Sequence, residues 1–80
     1  MRFDEHERLF ALLLALLKPA FTLKECGEVE HFVKVGEYGL ALETAMDIIE
    51  EEWKKDLPSE AVRVLHALAD LMEMKISLGE

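Results

Sequence analysis

The side chains best suited to chemistry in this 80-residue chain are three histidines, one cysteine, two serines and 17 carboxylates. Glu28 and His31 stand at i and i+3, the spacing with which a helix offers a carboxylate and an imidazole to a di-metal centre. Such a centre takes a second unit of this kind and two further inward carboxylates. The chain holds no second copy, and helical periodicity turns Glu28 and His31 mostly outward. His6, His31 and His66 fall on three different helical segments, and one cysteine with scattered histidines argues against a closed zinc site. The expectation is no metal and no cofactor.

Nucleophiles fare no better. Ser59 opens a helix and Ser77 lies in the tail. Cys26 falls on an apolar helix face, where a buried, reduced structural thiol is expected. Gly36-Glu37-Tyr38-Gly39 lacks the glycine spacing and the preceding strand of a phosphate loop, and reads as a tight turn. Tyr38 is expected to lay its ring on the core and leave its hydroxyl wet. With no catalytic residue in a credible setting, the chain is expected not to be an enzyme.

Charge is the remaining chemistry. Lys and Arg number 9 against 17 Asp and Glu, net −8. Residues 1–24 carry four basic and three acidic groups, residues 25–52 one and nine, and residues 53–80 four and five. The middle third therefore holds the whole imbalance. Such a surface repels phosphate backbones and suits a basic protein partner. A solvated helix face is the plain alternative.

These groups are positioned by helices. The hydrophobic fraction of 51% with 32% charged residues fits one globular domain and not a disordered chain. No stretch alternates apolar and polar with period two, and four segments carry helical periodicity. Helix 1 is expected over Glu5–Leu17, with Asp4 as N-cap, Glu7 completing a capping box, and Pro19 as the stop. Its leucine density predicts the most buried element. Helix 2 is expected over Leu23–Val35, opened by a Thr22/Glu25 capping box and closed by Gly36. Helix 3 is expected over Tyr38–Lys54, with Trp53 in the core, and helix 4 over Ser59–Met74, with Pro58 in its first turn. Ile76 and Leu78 are candidates to fold back. Leu13, Leu16, Phe32, Leu42, Ile49, Leu65 and Leu68 form the expected common core.

Short connections imply antiparallel neighbours, hence an all-α fold: a compact four-helix bundle of two helical hairpins, with orthogonal packing of the hairpins as the other arrangement. The longest apolar run, Leu9 to Leu17, is nine residues, against roughly 20 for a membrane span. Asp4, Glu5 and Glu7 precede it and Lys18-Pro19 follows it, unlike a signal peptide. An untagged cytoplasmic chain is expected, spanning 1–80 as a single domain.

On helix 3 the spacing of Glu43, Asp47, Glu50 and Glu51 places four carboxylates in one sector, and Leu40 points into the same sector. An apolar side chain beside an acidic stripe is a candidate anchor for a partner.

The string Val29-Glu30-His31-Phe32-Val33-Lys34-Val35-Gly36-Glu37-Tyr38-Gly39-Leu40-Ala41-Leu42-Glu43-Thr44 resembles the second and third helices of small helical immunity proteins of bacterial polymorphic-toxin systems. It is most similar to the MafI-like group, with relatives among contact-dependent growth inhibition immunity proteins. The specific resemblance covers a fifth to a quarter of the chain. It implies binding without catalysis: a cytoplasmic monomer that neutralises a cognate toxin domain, a basic nuclease, in a one-to-one complex, with no direct contact to nucleic acid or membrane. The expected partner-binding residues are Glu37 and Tyr38 at the turn and Leu40, Glu43, Asp47, Glu50 and Glu51 on helix 3. Glu37 and Tyr38 belong to the string and so double as scaffold candidates. An acidic helical adaptor, or a small subunit of another complex, is the competing reading.

Overall fold

Thr22 and Glu25 show how this sequence starts a helix. The Thr22 Oγ1 accepts from the Glu25 N–H at 3.1 Å, and the Thr22 N–H donates to Glu25 Oε1 at 2.9 Å. Two backbone donors that helix geometry leaves over are thereby satisfied reciprocally. In the computed structural model, which describes residues 4–51 and 57–76, this box opens the second of four helices: α1 (Asp4–Leu17), α2 (Leu23–Lys34), α3 (Tyr38–Glu51) and α4 (Ser59–Leu71). No strand occurs among the described residues.

The stops are equally local. Pro19 follows α1, and the Phe21 N–H turns back to the Leu17 carbonyl at 2.8 Å. At the end of α2, Gly36 takes φ +79°. The Gly36 N–H bonds to the Val33 carbonyl at 3.1 Å and the Glu37 N–H to the Phe32 carbonyl at 2.8 Å. That pair is the Schellman closure, which needs a left-handed residue at this position.

Three boundaries differ from expectation, while α4 starts at Ser59 as expected. Asp4 lies within α1 and so does not serve as its cap, with Glu7 three residues further on. Both acids instead sit in the first turn, where the helix dipole favours negative charge. Pro58 lies one position before α4, and its carbonyl accepts from the Ala61 and Val62 N–H groups. Val35 caps α2 instead of continuing it. The end of α4 departs most, stopping at Leu71 and not at Met74. Glu73 adopts φ 56°, its N–H bonds to the Asp70 carbonyl at 3.2 Å, and the Met74 N–H bonds to the Ala69 carbonyl at 2.8 Å. This is a second Schellman closure, with glutamate where glycine is usual, so no sequence signal marks it. The expected residues 52–54 of helix 3, Trp53 among them, and Leu78 lie outside the described residues.

The strongest packing joins α2 to α3 and α1 to α4, with α1/α2 and α3/α4 adding smaller contacts. The result is an all-α four-helix bundle. Its radius of gyration of 11.4 Å matches the ~11.6 Å that compact chains of this length show. Leu13, Leu42, Leu65 and Leu68 are fully buried and Ile49 nearly so, joined by Phe10, Leu17 and Val29. Leu16 and Phe32, expected in the centre, are half-buried against its edge. In α1 the inward line is Phe10, Leu13 and Leu17, and Leu16 falls beside it. For the same reason α1 is not the most buried helix. It buries three side chains and α3 buries seven, while Leu12 remains 46% exposed. Cys26 is half-buried at the edge of the core instead of inside it.

Candidate functional site

The seven buried positions of α3 fix what the helix shows to solvent. Tyr38, Ala41, Leu42, Ala45, Met46, Ile48 and Ile49 take the inner face. At about 100° per residue, Leu40, Glu43, Asp47, Glu50 and Glu51 then occupy an outer sector roughly 100° wide. All five are exposed, with Leu40 at 45%. Glu37 is also exposed, and its carbonyl accepts the Ala41 N–H at 3.0 Å to start the helix. Six of the seven candidate residues therefore reach solvent.

Tyr38 does not share that surface. It is 9% exposed, stacked 6.0 Å from the Phe10 ring and tilted 5.1 Å from the His6 ring. Its hydroxyl, expected wet, donates to Glu7 Oε2 at 3.1 Å. Burial first, then that bond and the Glu7 and Asp4 charges, push the Tyr38 hydroxyl above its ordinary pKa. The partner that sets this residue's role stands on α1, 31 positions away in sequence.

The acidic sector is flanked by two depressions. On one side, a groove of about 230 Å³ runs between α3 and the segment after α4. Its floor is Leu42 and Met46, and Met74 and Ile76 form its far wall. Glu43, Asp47 and Glu50 line the α3 side, and Lys75 lies across from them. On the other side, α2 and α3 enclose a shallow, mainly apolar depression of about 550 Å³ bounded by Gly27, His31, Phe32 and Thr44. Ile76 folds back on the core as expected. The sequence did not point to Met74, Lys75 and Ile76 as site neighbours, because it placed Met74 within helix 4. The available signal was the alternation of apolar Met74, Ile76 and Leu78 with other residues in the tail.

No group of three or more His, Cys, Asp or Glu side chains among the described residues is arranged to hold a metal ion. His31 packs edge-on against Phe32, and Glu28 is exposed beside it. Ser59 is exposed at the start of α4, and Ser77 lies outside the described residues. Cys26 lines a small recess with Leu14, Lys18 and Leu23. Desolvation raises its thiol pKa, Lys18 opposes that, and Glu25 and Glu30 add to it. A thiol held protonated is a poor nucleophile. No described helix is long and apolar enough to cross a membrane. No family model, curated protein or solved structure matches this chain.

Proposed function

We propose that this protein is an immunity-type binding protein that neutralises a cognate toxin domain, a basic nuclease, by covering its functional surface with the acidic face of α3. It acts in the cytoplasm as a monomer in a one-to-one complex and carries no catalytic activity. The observation that carries this reading is the exposed outer sector of α3, where a half-exposed Leu40 near the start of the helix leads into a line of four carboxylates. A nuclease presents basic residues to its substrate, so an acidic face can take the substrate's place. Opposite charge speeds encounter and fixes register, and an apolar anchor in a desolvated centre supplies much of the affinity.

Part of the immunity-like string has a scaffold role here: Val29, Tyr38, Ala41 and Leu42 are buried, and Gly36 makes the turn. Partner choice then rests on the outward residues. The test is the quadruple variant Glu43→Lys, Asp47→Lys, Glu50→Lys and Glu51→Lys, with helicity checked by circular dichroism. All four side chains are exposed, so the fold should survive. The expected result is loss of protection of cells against the toxin encoded by the adjacent gene. Full protection by the folded variant would move the site to another face. Failure of the wild-type chain to co-purify with that toxin would favour the adaptor reading.

A further inference from the structure

The groove between α3 and the tail has two properties that belong together. Its floor and far wall are apolar, made by Leu42, Met46, Met74 and Ile76, and its near rim carries three carboxylates. At about 230 Å³ it falls below the roughly 300–1,000 Å³ of small-molecule sites. It is of a size for one long side chain. Arginine and lysine combine an apolar stem with a charged head, and lay the stem on apolar surface while the head reaches polar partners. Methionine walls adapt to such a stem. Lys75 is the one cation among the described residues that line the groove.

We propose that this groove seats an arginine or lysine side chain from a basic segment of the partner, and that the charge of Lys75, which lines the groove, opposes that entry. The inference rests on the docking reading above and names its central contact. Charge complementarity selects the occupant, since a second copy of this chain would bring net charge −8 against the same carboxylates. The tail reaches the groove because the left-handed turn at Glu73 ends α4 early and sends Met74 across α3, with its sulfur 3.9 Å from where a Cβ at Gly39 would stand. An entering cation meets the rim carboxylates of Glu43, Asp47 and Glu50, which are able to accept paired guanidinium hydrogen bonds.

The experiment titrates the whole protein with the acetylated, amidated peptide Ala-Arg-Leu-Arg-Ala and follows its methyl groups by NMR. Saturable shifts are expected at the Met46, Met74 and Ile76 methyls. Lys75→Ala should tighten the peptide Kd by about threefold or more. Lys34→Ala makes the same change in net charge on α2 and should fall well short of that. Shifts that avoid these three methyls, or equal tightening by both variants, would overturn the proposal. Protection against the toxin is scored separately with the α3 charge reversals. If they abolish protection while the methyls stay silent, the groove assignment fails and the docking reading stands. If the methyls respond but protection is untouched, the seat stands and the toxin reading fails.

Discussion

The Tyr38 hydroxyl donates to the Glu7 carboxylate at 3.1 Å, joining the start of α3 to the first turn of α1. The bond gives the tyrosine a place in the bundle that its ring alone would not specify. Tyr38→Phe keeps the stacking on Phe10 and removes the bond, so the urea midpoint should fall modestly. Glu7→Gln keeps an acceptor and should lose less. The same contact has a pH signature. Burial and Glu7 raise the folded-state pKa above the ordinary 10.0, so the folded form holds the proton more tightly. The stabilisation is complete below that ordinary value and is lost as pH rises through the higher folded-state pKa. Alkaline unfolding should therefore be shallower in Tyr38→Phe than in the wild type.

Leu65 is fully buried in the middle of α4. Leu65→Ala removes its packing and leaves a cavity, at a cost of about 2–5 kcal/mol. A domain of this size has a total stability of roughly 4–12 kcal/mol, so the melting temperature should drop sharply. Leu16→Ala, at a half-buried edge position, should cost clearly less. Equal losses measured by chemical denaturation would contradict this ordering of the core.

The two left-handed closures make opposite predictions. Glu73 has φ 56° with a side chain that this backbone disfavours. Glu73→Gly relieves about 1–2 kcal/mol of strain and gives back about 0.4–1 kcal/mol through a freer unfolded chain, so a small net stabilisation is expected. Gly36 has φ +79° and no neighbouring atom within 4 Å of a built Cβ. Gly36→Ala therefore meets no steric block and should still destabilise, because about 1–2 kcal/mol of backbone strain outweighs the about 0.4–1 kcal/mol gained from a less free unfolded chain. Thermal melts of the two variants should move in opposite directions.

Cys26 lines a recess but is held protonated, burial being the main cause. Its reaction with iodoacetamide should be slower in the native protein than in urea at neutral pH, and should accelerate on raising the pH. Lys18→Ala removes the charge that favours the thiolate and should slow native labelling further. Native labelling as fast as in urea would contradict this placement.

How much of this was legible in the sequence follows from how local each signal is. The capping box of Thr22 and Glu25 needs three residues of separation, and the Gly36 closure needs one glycine, so both can be read from the chain alone. The outer sector of α3 follows from 100° periodicity acting on Glu43, Asp47, Glu50 and Glu51, and every one of them is exposed. The extent of burial along α1 was not legible. Nine consecutive apolar residues say that the helix seeks cover, but only the position of α4 and α2 decides that Phe10, Leu13 and Leu17 receive it and Leu12 does not.

The sequence by itself determined the helices, the starts at Leu23, Tyr38 and Ser59, the stop at Leu17, and a concentration of negative charge on one helix, because each depends on neighbours within about one helical turn. The tertiary structure decided what those helices face. It turned Tyr38 inward to Glu7, because α1 and α3 meet only after the chain has folded. It also laid Met74, Lys75 and Ile76 beside the acidic face, because a strained turn at Glu73 is stable only where the apolar tail it redirects finds a core to cover.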